Sequence, residues 1–309
     1  MKKIYNTIRL SSLTLLFLTS CWSTPANDSN SLTVLASTSV LADIAQNIAG
    51  DRVEVQSLLP IGSDPHAYQP VPSDVAKISA SDLLILNGLE YEHFIESLLE
   101  NAGGERIIIE ATQGLTPSDD HADETEPNTN HGHEALDPHL WLDPNLVITY
   151  VENIRNGLIQ VDPAGKEIYT TNAEKYIAQL KDLDAWIVEQ VNQIPAERKL
   201  LVTNHESLNY FAKRYGFEVI DAILPSFSSE ASASAQEIAS AIDAIKNSGA
   251  PAIFLGEIEN ANLANQIASE TNVKVVNNLY LESLSADEPA QTYIDMMKHN
   301  VMQIVQALK

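Results

Sequence analysis

Between residues 164 and 194 the chain runs for about 30 residues with no proline and one glycine, Gly165. Apolar residues return at Ile168, Tyr176, Leu180, Leu183, Trp186, Ile187 and Val191, the spacing of one helical face. Such a helix spans roughly 45 Å at 1.5 Å per residue, too long for one small domain. The rest of the chain must be arranged on either side of it. Before it come four short β-prone runs, at 32–37, 53–59, 83–86 and 106–110. After it come four more, at 199–202, 217–224, 252–255 and 273–276. Helical segments separate them, and that alternation implies βαβ units and mainly parallel sheets. The expected fold is α/β: two lobes, each a mainly parallel sheet flanked by helices, joined by one long rigid helix. The expected boundaries are 32–161 for the N-terminal lobe, 162–195 for the linking helix and 196–309 for the C-terminal lobe. A chain of 309 residues is long enough for two such cores.

Within that frame, residues 91–99 have the spacing of an amphipathic helix. Asp143-Pro144 is expected to open another, with Asp143 as N-cap, running to residue 159. A further helix is expected over 207–215, with Glu206 at its start, where a carboxylate suits the helix dipole.

The first 20 residues read as a signal peptide. Lys2, Lys3 and Arg9 precede a short apolar run at 13–18, too short to span a bilayer. Leu18-Thr19-Ser20-Cys21 resembles a bacterial lipobox, which makes Cys21 the expected lipidation site. Cys21 is the only cysteine, so no internal disulfide is available. Residues 21–31 are polar and turn-rich and read as a tether to a membrane surface.

The formal net charge is −24, which offers no basic patch for phosphates and argues against a nucleic-acid partner. Residues 116–136 hold six acids, His121, His131 and His133, with no Lys or Arg. That composition suits a mobile acidic loop able to bind divalent cations weakly.

The chemistry concentrates in two matched motifs, Asp64-Pro65-His66 and Asp137-Pro138-His139. Each histidine follows a proline, is followed two residues on by an aromatic, and has another proline close behind. A histidine in so restrained a loop loses little entropy when it binds an ion. His66, His205 and Glu282 all fall just after expected strands, where open α/β sheets bind ligands. His66 and His139 belong to the first half, His205 and Glu282 to the second. Three imidazoles and one carboxylate in the cleft would make a four-coordinate site suited to zinc.

These stretches resemble the metal-binding lipoproteins of bacterial zinc and manganese ABC importers, the cluster 9 solute-binding proteins. The motifs are DPHAYQPVPSD at 64–74, DPHLWLDP at 137–144, VTNHESLNYF at 202–211 and LYLESLS at 279–285. The resemblance covers residues 32–309. It implies two α/β lobes, a rigid linking helix, and His66, His139, His205 and Glu282 as metal ligands. It also implies an extracytoplasmic, lipid-anchored monomer that hands Zn²⁺ to an ABC permease in the cytoplasmic membrane, with limited motion between lobes. In the family the third ligand is Glu in manganese-type members and His in zinc-type members, and His205 stands there. The fourth is usually Asp; here it is Glu282, one methylene longer.

Two other readings compete. One is a manganese or broad divalent-metal carrier of the same type. The other is a secreted zinc hydrolase, which three histidines and a nearby glutamate could support. Against it, the chain has no His-Glu-x-x-His segment and no nucleophile elbow.

Overall fold

All eight apolar runs form strands. The computed structural model describes residue 1, residues 32–117 and residues 136–309. In the first half, β1 (Val34–Ala36), β2 (Val55–Ser57), β3 (Leu83–Leu86) and β4 (Ile107–Glu110) make a parallel sheet in the order β2-β1-β3-β4. In the second, β5 (Leu200–Thr203), β6 (Glu218–Ala222), β7 (Ala252–Gly256) and β8 (Lys274–Leu279) repeat the pattern as β6-β5-β7-β8. The inner strands β1, β3 and β7 are buried along their whole length. Continuous apolar runs such as Leu83-Leu84-Ile85-Leu86 are what helices on both faces of a parallel sheet demand. The edge strand β4 alternates, and its Ile108 is 44% exposed.

The helices between strands are α1 (Ser39–Ala49), α2 (Pro72–Ala80) and α3 (Ile95–Ala102) in the first half. Next come α4 (Val147–Val161) and the long α5 (Lys166–Val191), then α6 (Asn209–Tyr215), α7 (Ala235–Ser248), α8 (Asn262–Thr271) and α9 (Tyr293–Leu308). Side-chain caps fix several starts. The Thr38 hydroxyl accepts from the Leu41 N–H, and the Thr292 hydroxyl from the Asp295 N–H. Ser234 and Glu237 bond each other's backbone in a capping box at α7.

Three helix starts differ from the sequence expectation. Residues 91–94 are not helical, because Leu89 and Glu90 take left-handed φ values of 57° and 59° and turn the chain before α3. Asp143 does not cap α4 directly. Its carboxylate accepts from the Asn145 N–H, closing a turn that delays the helix to Val147. Glu206 lies before α6 begins, and its N–H donates to the Ser226 carbonyl.

α5 is 26 residues, roughly 39 Å. Its buried face is Tyr169, Ala173, Tyr176, Leu180, Leu183, Ile187 and Val191. Ile168 falls on the other side, 44% exposed. α5 packs along α1, α4 and α9. These four helices share one apolar cluster that takes in Val34 and Leu83 of the first sheet and Phe254 and Leu279 of the second. The outer faces have separate clusters: Leu35, Leu84 and Leu98 under α2 and α3, and Ile245, Ile253 and Ile267 under α7 and α8. The long helix is therefore the middle of a core continuous from one sheet to the other, and residues 32–309 form one compact unit.

No helix among the described residues is long and apolar enough to cross a membrane. Residues 2–20 of the expected signal segment, Cys21 and the rest of the expected tether, and His121, His131 and His133 lie outside the described residues.

Because Leu180 is fully buried in the shared core, Leu180→Ala is expected to lower the stability of the metal-free protein by about 2–5 kcal/mol. Urea unfolding measures this; a loss below about 1 kcal/mol would contradict a tightly packed centre.

Candidate metal centre

The two Asp-Pro-His motifs build their loops in the same way. The Asp64 carboxylate accepts from the His66 N–H at 2.9 Å, and Asp137 accepts from the His139 N–H at 3.0 Å. Each aspartate thus closes an Asx-type turn that fixes the backbone of the histidine two residues on. His66 lies in the loop that follows β2. His139 immediately precedes the helical turn Leu140–Leu142. His205 comes two residues after β5, and Glu282 three residues after β8. All but His139 therefore follow the carboxyl ends of strands.

These four residues converge. One donor atom from each lies within 4.8 Å of the others, a group that could hold a metal ion. The Nε2 atoms of His139 and His205 are each 3.3 Å from Glu282 Oε1 and 3.3 Å from each other. The Nε2 of His66 is 4.0 Å from Glu282 Oε2. The side chains are no more than 2% exposed. Both ring nitrogens of His66 and the Oε1 of Glu282 are buried without a hydrogen-bond partner. Buried polar atoms left unpaired are costly, and a cation among the four residues would give His66 and Glu282 the partner they lack.

Two of the imidazoles are backed by carboxylates. His139 Nδ1 meets Asp137 Oδ1 at 2.8 Å, and His205 Nδ1 meets Glu259 Oε1 at 2.6 Å. Bonding the Nδ1–H to a carboxylate leaves Nε2 as the donor and raises its basicity. Asp137 is held in turn by the Asn209 amide and, through its carbonyl, by the Tyr210 hydroxyl. The Trp141 indole N–H donates to the Leu281 carbonyl at 2.8 Å, and the Tyr293 hydroxyl to the Trp141 carbonyl at 2.7 Å. Trp141 therefore joins the His139 segment to the Glu282 segment. Asp64 reaches across to the second half through the Ser229 hydroxyl, at 2.6 Å. The Ser283 hydroxyl accepts from the Gly62 N–H at the root of the His66 loop.

Electrostatics divide the histidines. Burial depresses His66 to a pKa of about 4, so its ring is neutral at pH 7. Burial also disfavours charge on His205, but Glu259 and Glu282 outweigh it and push it up to about 10. His139 is raised against burial by Glu282 and Asp137. Glu282 is held well below the usual carboxylate range because His139, His205 and His66 overcome its desolvation. Without a cation the pocket therefore carries a proton on His205, beside the point where an ion would sit.

The sequence reading gave no role to Tyr91, Asp137 or Glu259. For Asp137 a signal was present, since the same Asp-Pro-His spelling occurs twice. For Glu259 and Tyr91 there was none, because their partners lie 54 and 191 positions away. Tyr68 packs on Phe94 and donates to Asp74. Glu257 directly follows β7, with both carboxylate oxygens buried and unpartnered, and burial pushes it up to about 8. Outside the group, His93 is exposed and His299 bonds the Asn278 carbonyl from α9.

Known proteins resemble this chain along most of its length. The family model described as the zinc-uptake complex component A, periplasmic, matches residues 34–307. The manganese-binding lipoprotein MntA of Halalkalibacterium halodurans is 34% identical over 285 residues, covering 92% of this chain and 90% of that protein. The metal ABC transporter substrate-binding lipoprotein SsaB of Streptococcus sanguinis is 31% identical, covering 100% of this chain and 99% of that protein. Among solved structures, the periplasmic zinc-binding protein TroA of Treponema pallidum superposes with a TM-score of 0.80 at 26% identity, covering 90% of this chain and 99% of that one.

Because His205 is protonated in the metal-free pocket, a divalent ion must displace its proton to bind. At least one proton per ion is expected to be released at pH 7, and affinity should fall about tenfold per pH unit for each proton as pH drops from 8 to 6. Calorimetric titration in buffers of different ionisation enthalpy reads the release directly; heats independent of buffer would contradict it.

Proposed function

The chain belongs to the zinc-uptake complex component A family, whose members are metal-binding components of ABC importers, and on that premise we propose that its cargo is Zn²⁺. Its place is with transport proteins, and the hydrolase reading is set aside, since the relatives are substrate-binding proteins. We take His66, His139, His205 and Glu282 as the ligands.

The observation that carries the zinc reading is His205 as a third imidazole, fixed by Glu259 with its Nε2 turned inward. Imidazole favours zinc over manganese more than carboxylate does. The three donor separations of 3.3 Å among His139, His205 and Glu282 also equal the edge of a tetrahedron with zinc bonds of about 2.0–2.1 Å. Manganese is the competing reading, favoured by the names of relatives such as MntA.

The working form we propose is a monomer on the outer side of the cytoplasmic membrane, held by lipid on Cys21 through the tether 21–31. Relatives named as lipoproteins support that anchor. The partner is a membrane permease of the ABC type. The lobes 32–161 and 196–309, joined by the helix within 162–195, share a core, so delivery uses a local opening of the ligand loops rather than wide hinge motion. The Asp64–Ser229 bond is the contact such an opening would break.

Competitive titration of the metal-free protein with Zn²⁺ and Mn²⁺, beside His205→Glu, tests the assignment. One tight Zn²⁺ equivalent with Mn²⁺ at least 100-fold weaker is expected, narrowing by about tenfold or more in the variant. Equal or tighter Mn²⁺ binding by the parent would overturn the zinc assignment and leave the carrier.

A further inference from the structure

Tyr91 lies against the candidate ligands, 191 positions from the residue it bonds. Its hydroxyl donates to Glu282 Oε2 at 2.7 Å. The other oxygen, Oε1, has no donor and faces the Nε2 atoms of His139 and His205. The two oxygens of one carboxylate are therefore in different states, one tied and one open.

Tyr91 cannot turn away. It is buried, edge-on to the His66 ring at 5.2 Å and against the Trp141 ring at 4.9 Å. At 2.7 Å from a carboxylate oxygen, which can only accept, the phenol O–H is the donor. Its backbone is equally fixed. The buried Glu92 carboxylate accepts from the Ser37 hydroxyl and from the Asn87 and Gly88 N–H groups. That clamp holds the turn in which Leu89 and Glu90 take positive φ, a conformation that persists only where its surroundings over-determine it.

We propose that Tyr91 is a specificity-setting positioning residue, whose hydroxyl holds Glu282 to the ion through Oε1 alone. The inference rests on the ligand set proposed above. With one oxygen tied, the protein offers four donors, the number zinc takes. A cation that prefers more oxygen donors, such as Mn²⁺, would have to draw Oε2 into its shell. That would weaken the bond from the buried Tyr91 hydroxyl, since Oε2 would have to serve both the ion and the phenol. The length of Glu282 matters here: an aspartate is shorter by roughly one 1.5 Å carbon–carbon bond and could not reach both the ion and Tyr91.

Co²⁺ is the probe, because four-coordinate cobalt absorbs visible light far more strongly than five- or six-coordinate cobalt. The parent protein is expected to show the intense bands. Tyr91→Phe should weaken them and narrow the Zn²⁺-to-Mn²⁺ affinity ratio by about tenfold, the order of one buried hydrogen bond. Glu282→Asp should change both in the same direction, and the double variant should add little to either single change. A parent with weak bands would overturn the proposal. So would Tyr91→Phe with the parent's bands and ratio and only a lower melting temperature, since that is the behaviour of a packing residue. A parent that prefers Mn²⁺ would sink the zinc assignment, while the change in cobalt bands still decides the role of Tyr91.

Discussion

Glu282 Oε1 sits 3.3 Å from two imidazole nitrogens that are themselves 3.3 Å apart, all out of contact with water. A carboxylate and imidazoles so close together cannot be satisfied by one another alone. Charge on any of them is disfavoured by burial, and neutrality leaves donors and acceptors unpaired. A dication resolves both problems at once. The rest of the molecule keeps these atoms from relaxing apart. Asx turns fix the two Asp-Pro-His backbones, Asp137 and Glu259 fix two of the rings, and Tyr91 fixes the far oxygen of Glu282.

That rigidity has a source in the fold. The donors come from two parallel sheets of the same order, and the sheets share one core through α1, α4, α5 and α9. Side chains such as Tyr169, Leu180 and Ile187 are buried where both halves meet the long helix. Moving one sheet against the other would open this core, which close packing makes costly. The loops at the strand ends are tied more lightly, by single bonds such as Asp64 to Ser229 and Gly62 to Ser283. The energetic contrast favours small motions at the site over large ones between the sheets.

Much of this could be read from the chain. Short β-prone runs identified all eight strands, and the stretch without proline identified α5, because both signals are local. The four residues that converge were legible because each lies in or just after a strongly patterned segment. The sequence misplaced Ile168, whose apolar side chain fits the helical period loosely but faces outward. It also put residues 91–94 in a helix, since nothing in that spelling announces two left-handed residues held by the buried Glu92. The residues behind the donors stayed hidden for the same reason. Glu259 and Tyr91 acquire their roles only when distant loops meet, and composition carries no trace of that.

The most direct test of the central claim is anomalous diffraction from crystals of the zinc-loaded protein, recorded on both sides of the zinc absorption edge. One strong peak is expected among His66, His139, His205 and Glu282, with bonds of about 2.0–2.2 Å to three imidazole nitrogens and Glu282 Oε1. A principal peak elsewhere, or one in this pocket lacking His205 or Glu282, would contradict the account.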